Sequence, residues 1–274
     1  MNALDRFLAL LGQTPAVLVS VESTQGSVPR EAGAWMAVFA HEVVGTIGGG
    51  NLEFQALVHA RECLAAAPQR ADDVVRYPLG PGLGQCCGGV VALRFEPVTV
   101  ALASALRARL AARFYPLALF GGGHVGAAVA QVVAMLPFSL TWLDSRDGIF
   151  TAEMPANVVC EHSDPVQAAV PQLPPGTRVV IMSFSHAEDL DIVAACLRRQ
   201  RERADLPYVG LIGSKTKWAT FRRRLRDRGF TEAELAHITC PIGIAGITGK
   251  QPEVIAVAVA AQLLQSVSAT HEIG

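Results

Sequence analysis

The sequence predicts an α/β protein whose C-terminal part is built on a parallel sheet and whose smaller N-terminal part is α+β. Three observations carry that prediction. Pro116–Phe120 is a short apolar run, followed at once by Gly121, Gly123 and Gly126 at G-x-G-x-x-G spacing. An apolar helical stretch, Val125–Leu136, then ends against Pro137, which cannot continue a helix. A second apolar run, Phe138–Leu143, ends on Asp144, 18 residues beyond Gly126. Strand, glycine turn, helix and acidic strand end together describe a Rossmann-like unit. Gly121 permits the tight turn, Gly123 lets a pyrophosphate approach the backbone, and Gly126 lets the helix sit close to the strand. His124 falls inside the turn, where free N–H groups at the helix start face an anion. Asp144 stands where a carboxylate meets a ribose hydroxyl, which favours NAD over NADP. The alternative is a βαβ unit whose glycines serve packing alone.

The chain of 274 residues is 51% hydrophobic and 17% charged, enough for a large core and for two domains. A formal net charge of −1 gives no reason to expect nucleic-acid or membrane partners. Asp5 and the lack of a small-residue cleavage site argue against a signal peptide. Val254–Leu264, the most apolar run, spans 11 residues and is too short to cross a bilayer. Cysteines at 63, 86, 87, 160, 196 and 240 form neither a C-x-x-C pair nor a disulfide framework, and a reducing cytoplasm suits them.

In chain order, Asn2–Leu11 reads as a helix and Ala16–Val21 as a buried strand. Ser23–Ala34 is a turn-rich loop carrying Arg30, and Trp35–Phe39 pairs with Val43–Ile47 as a hairpin. Gly48, Gly49 and Gly50 precede a helix from Leu52 to Ala67 with Glu53 in its first turn. Such glycines present donors to an anion, or they are simply a hairpin-to-helix turn with Glu53 facing the helix dipole. After a strand at Asp73–Tyr77, the loop Leu79–Gly89 sets Cys86 and Cys87 among five glycines and a proline, ahead of a strand at Val90–Phe95. Adjacent thiols in so open a loop suit a soft metal or a persulfide, against the plainer reading of two small residues in a turn. The alanine-rich Thr99–Arg113 reads as a linker helix. Domains of 1–98 and 115–274 flank a linker over 99–114.

Further strands are expected at Asn157–Glu161, Arg178–Phe184 and Tyr208–Ile212, with a short helix at Pro165–Val170. His186 follows the strand end at Ser183–Ser185, which faces the ligand crevice in open α/β sheets. Asp189 and Asp191 suit a helix start. Lys215 precedes a helix from Thr216 to Arg228, near enough to an anion crevice to touch a phosphate. Thr231–Glu234 fits a capping box. Ile244 and Gln251 exclude a Walker loop in the glycine-rich segment after Cys240, and Pro252 opens the last helix.

Several segments taken together resemble the XdhC branch of the XdhC/CoxI-type proteins. They are GSVPREAGAWM (Gly26–Met36), GTIGGGNLE (Gly45–Glu53) and GQCCGG (Gly84–Gly89), then FGGGHVG (Phe120–Gly126), SHAEDLD (Ser185–Asp191), GLIGSKTK (Gly210–Lys217) and the run from Cys240 to Leu264. The resemblance implies a cytoplasmic, dimeric accessory protein, a carrier rather than a catalyst. It would hold the molybdenum cofactor in its molybdopterin form, protect it while a cysteine desulfurase supplies a terminal sulfur, and deliver it to the apo-subunit of xanthine dehydrogenase. Cys87, with Cys86 beside it, would face the metal. Arg30, Gly49, Gly50 and Glu53 in the first domain and Gly121, Gly123, His124, Gly126, Asp144, His186 and Lys215 in the second would complete the cofactor site. Relatives often carry a histidine two positions before His186, where this chain has Phe184. The rival expectation is an NAD(P)-dependent oxidoreductase using the glycine turn and Asp144.

Overall fold

A computed structural model describes residues 3–66, 72–80, 88–111, 113–150 and 153–271. Cys86 and Cys87 lie outside them. The chain forms two compact units, Met1–Ala111 and Ala112–Gly274.

The first unit is one antiparallel sheet between helices. Its strands are β1 (Ala16–Gln25), β2 (Trp35–Val38), β3 (Val43–Gly45), β4 (Asp73–Pro78) and β5 (Val90–Val98), in the order β3-β2-β1-β5-β4. Side chains alternate faces along a strand, so β1 serves two cores. Val17, Val19 and Val21 pack under α2 (Gly50–Ala66), and Ala16 and Leu18 pack with Phe7 and Leu11 of α1 (Ala3–Leu11). That double burial explains why β1 begins as an unbroken apolar run. β1 also outlasts its expected end at Val21: a bulge between Val21 and Ser23 shifts the register by one residue, and pairing continues to Gln25 opposite Val90.

The stretch read as a linker helix belongs to this unit. A 3₁₀ turn at Val100–Leu102 leads into α3 (Ala103–Leu110), whose Leu106 is buried with Phe7 and Leu11. Arg107 pairs with Asp5, and Arg109 donates two bonds to Glu96, at 2.9 and 2.8 Å. The packing rests on Leu106 and a half-buried Leu110, with these ion pairs beside them.

The second unit is a six-stranded parallel sheet of β6 (Tyr115–Phe120), β7 (Phe138–Asp144), β8 (Val158–His162), β9 (Arg178–Ile181), β10 (Tyr208–Leu211) and β11 (Ile238–Thr239). Their order is β11-β10-β9-β6-β7-β8. Counted from β6 this is the doubly wound order 3-2-1-4-5-6, with the reversal between β6 and β9. Leu117 and Leu119 face α4 (His124–Val133) and α8 (Pro252–His271), whereas Ala118 and Phe120 face α5 (His186–Arg203) and α6 (Lys215–Asp227). Burial on both faces makes the strands continuously apolar. A short α7 (Glu232–Leu235) starts in the expected capping box, with both reciprocal bonds formed. Among the described residues no helix is long and apolar enough to cross a membrane.

Helix α4 stops at Val133, short of the expected Leu136. Pro137 has no N–H to offer Val133 O, the last turn tightens, and Asn157 donates at 3.1 Å to the carbonyls of Ala134 and of Phe138, joining the helix end to β7. Strand β9 ends at Ile181: Met182 N–H donates the last ladder bond to Phe120 O, and Gly121 packs on the Met182 carbonyl. A Cβ on Gly126 would stand 1.9 Å from Gly121 O, so helix and strand touch backbone to backbone. Gly126→Ala is expected to force them apart and to remove about 2–4 kcal/mol of stability, measured as the shift of the urea unfolding curve; a loss within about 0.5 kcal/mol would show that the turn adapts freely.

Candidate functional site

In the first unit the pairing register places three loops at one end of the sheet. Gln25 and Pro78 both lie opposite Val90, and Gly45 lies opposite Met36 beside the start of β2. The loop carrying Arg30, the glycine run 48–50 and both stems of the 79–89 loop therefore leave from the same edge. Leu79 N–H donates to Gly89 O at 2.7 Å, closing the stem of the loop whose sequence contains Cys86 and Cys87. A Cβ on Gly89 would lie 2.5 Å from both Gln25 O and Ser27 O, so the stem is clamped against the start of the Arg30 loop. Arg30 is exposed, and its stem lies with Pro29 over Gly48.

The glycine run does not hold its amides open. Glu53 Oε2 accepts from Thr46 Oγ1 at 2.5 Å, Ile47 N–H at 3.1 Å and Gly49 N–H at 3.0 Å. Gly48 N–H donates to Thr46 Oγ1 at 3.1 Å. Gly49 and Gly50 have φ of +76° and +66°, the left-handed backbone that favours glycine. The chain's own carboxylate thus sits where an anion was expected.

In the second unit the three glycines occupy the positions their spacing predicted. Gly121 has φ +125°, and a Cβ there would stand 2.0 Å from Met182 O. Gly121 N–H donates to Leu143 O at 2.7 Å, and Gly121 O accepts from Trp142 Nε1 at 2.9 Å. Gly123 is exposed with nothing near its missing side chain, so a ligand can approach its backbone. His124, exposed, is the first residue of α4, and the ladder of that helix begins only with Ala127 N–H donating to Gly123 O.

Asp144 departs from expectation. It is 2% exposed and faces inward. Its Oδ2 accepts from Gly122 N–H at 2.5 Å and from Arg146 Nη2 at 2.9 Å, and its Oδ1 accepts from Arg146 N–H and Nε, each at 2.9 Å. Burial pushes the carboxyl up, but the Arg146 side chain and the Gly122 and Arg146 amides outweigh it and hold it below the ordinary carboxylate range. The guanidinium also stacks 4.7 Å over the ring of Phe184, which is 66% exposed. Asp144 therefore ties the turn to the loop after β7.

His186 and Lys215 are exposed first residues of α5 and α6. His186 meets Phe221 edge-on at 6.3 Å and borders a shallow groove of about 330 Å³ with Ser214, Thr216 and Arg224. The lysine held inside is Lys217. It donates to Asp189 Oδ2 at 2.6 Å and to Ile212 O at 2.8 Å, and the Lys217 and Asp189 side chains are 12% and 3% exposed. Asp189 Oδ1 also accepts from Ser183 N–H and Oγ, at 2.9 and 2.7 Å. This buried pair latches the ends of β9 and β10 together. Sequence reasoning gave Asp189 to the helix dipole and passed over Lys217; its i+3 spacing from Ser214, whose Oγ accepts Lys217 N–H at 3.1 Å, was the available signal. Ser145, Arg146 and Glu188 were also passed over, although two of them directly follow Asp144.

No group of three or more His, Cys, Asp or Glu is placed to hold a metal among the described residues. Of the described thiols, Cys63 and Cys196 are buried, and burial pushes Cys196 up to about 12. Cys160 is exposed and Cys240 half-buried, and burial pushes both of these thiols up as well.

Comparison with known proteins matches residues 117–263 to the XdhC Rossmann domain and residues 9–78 to the XdhC and CoxI family. The uncharacterised Escherichia coli protein YqeB is 25% identical over 92% of this chain, and the chain spans only 43% of its length. A crystal structure titled as a xanthine dehydrogenase from Bacillus halodurans superposes with a TM-score of 0.78 over 98% of this chain and 96% of that one, at 20% identity, a likeness of fold.

Two outcomes test this geometry. Lys217→Met leaves Asp189 charged in the interior and should lower stability by about 3 kcal/mol in urea unfolding; a loss under about 1 kcal/mol would remove the latch. Asp144 has its folded pKa below its unfolded value of about 3.9, so its contribution is present above that pH and is lost as pH falls through the lower folded value. Amide exchange of residues 117–126 should be flat from pH 7 to about 5, after correction for intrinsic rates, and accelerate below about 4. Asp144→Asn should accelerate it already at pH 7, and unchanged exchange in that variant would refute the tie.

Proposed function

We propose that this chain, which belongs to the XdhC and CoxI family, is a cytoplasmic accessory protein in the maturation of xanthine dehydrogenase. In this reading it binds the molybdenum cofactor as molybdopterin, shields it while sulfur from a cysteine desulfurase is added, and passes it to the apo-dehydrogenase. It works as a homodimer and turns over no substrate of its own. The observation that carries the reading is the family match in both units, joined to a glycine turn whose Gly123 stays open.

Cys86 and Cys87 supply soft sulfur suited to molybdenum, on a loop whose stem is clamped beside the Arg30 loop. The turn Gly121–Gly126, with the first N–H groups of α4, takes the pterin phosphate. Lys215 and His186 add charge and polarity along the same sheet edge.

The NAD(P)-dependent oxidoreductase has the strand order in its favour. Against it stands Asp144, whose oxygens are already taken by Gly122 and Arg146.

Purification from cells with an active cofactor pathway should yield protein carrying molybdopterin, and the Cys86→Ser/Cys87→Ser variant should retain at least about tenfold less. Equal content in the double variant removes the thiols from the scheme, and absence of the pterin from wild-type protein sinks the carrier reading.

A further inference from the structure

The crevice contains two carboxylates in opposite conditions. Asp144 is saturated: four donors converge on it, and a carboxylate has about four lone-pair directions. Nothing is left to accept from a ribose diol, so the crevice does not fit the diol-reading mode of a dinucleotide site.

Glu188 is unsaturated. Ser185 and Glu188 have the S-x-x-E spacing of a capping box, but only half of it forms. Glu188 N–H donates to Ser185 Oγ at 3.2 Å, and the carboxylate does not return to the Ser185 amide as Glu234 returns to Thr231. It crosses instead to the end of β7, where Ser145 Oγ donates to Oε1 at 2.7 Å. Oε2 is buried and has no hydrogen-bond partner. Strands β7 and β9 flank β6, so a side chain running from the helix after β9 to the loop after β7 passes over the C-terminal end of β6, where the glycine turn starts. Arg146 on Phe184 spans the same two loops. A buried acceptor left without a donor destabilises the fold, although the Ser185 amide one helical turn away would have satisfied it.

We infer that Glu188 is the residue that reads the ligand of this crevice. Its Oε2 accepts an N–H or O–H donor from a ligand whose phosphate lies at Gly123. A pterin edge and a ribose hydroxyl both offer such donors. The choice of the pterin rests on the function proposed above, whereas the role of Glu188 does not.

The test is fluorescence titration of the full chain with neopterin phosphate and with NADH, and competition by inorganic phosphate. Glu188→Gln keeps an oxygen for Ser145 and puts an amide donor where Oε2 stood. It should weaken neopterin phosphate at least about tenfold without weakening inorganic phosphate, since removing a negative charge cannot by itself repel an anion. That contrast separates an acceptor from a merely structural residue. Should Glu188→Gln lower the melting temperature, Ser145→Ala serves, because it leaves both oxygens in place and should bind the pterin at least as tightly as wild type; weaker binding would count against the inference. Equal affinity of wild type and Glu188→Gln, or no saturable binding of either probe to wild type, overturns it. NADH binding that depends on Glu188, with no pterin binding, upholds the residue and removes the pterin. Absence of molybdopterin from the purified protein with Glu188 dependence intact is a failure of the proposed function alone.

Discussion

The second unit depends on one close approach, the backbone of α4 against the backbone of the turn after β6. With 1.9 Å between Gly121 O and the place of a Gly126 Cβ, no other residue type fits at position 126 without moving the helix. The contact fixes where α4 starts, and so where its unpaired N–H groups point. It also presses Gly121 against the Met182 carbonyl, which ends β9 and begins the segment Ser183–Ser185 that caps α5. The crevice is the outcome of this packing: three strand ends whose loops cannot drift, because each is anchored to its neighbour's backbone.

Much of this was legible because it follows from local rules. Glycine spacing, strand periodicity and the capping box at Thr231 each depend on a few adjacent residues, and each appeared where expected. What escaped the sequence reading are the partners of charged side chains, fixed by tertiary distance. Asp144 was placed correctly at a strand end, yet Arg146 two residues later claims it, and neither spacing nor composition says which way a guanidinium folds. Lys215 looked like the basic residue of its loop, but residue 217 is the one in the first turn of α6 whose stem reaches inward past Gly213 to Asp189. Helix α3 was expected, but as a linker; its packing into the first unit escaped, because it rests on Leu106, a half-buried Leu110 and ion pairs to distant residues.

A common device links these surprises. At three loop–helix junctions a carboxylate of the chain turns onto the loop's own donors: Glu53 onto residues 46–49, Asp144 onto Gly122 and Arg146, and Asp189 onto Ser183 and Lys217. Glycine-rich loops lose the most conformational entropy on ordering, and an internal anion that gathers several N–H groups offsets part of that loss. In the first unit the device also sets the electrostatics: Glu53 brings a negative charge to a loop whose glycines alone would suggest a positive nest, whereas Asp144 and Asp189 are paired with Arg146 and Lys217.

An incoming phosphate therefore meets a selective surface. In the first unit it would have to displace Glu53, and at Gly122 it would have to displace Asp144, each held by hydrogen bonds to a charged group that contribute about 1.5–3 kcal/mol apiece. The first N–H groups of α4, beside an open Gly123, carry no such competitor. In the proposed reading the anion is held by one short stretch of backbone, residues 123–126, and the rest of the ligand is read by what lies across β6. A guest with a phosphate and no hydrogen-bond donor would be held there no better than inorganic phosphate, which is why selectivity has to come from an acceptor that the fold has not already satisfied.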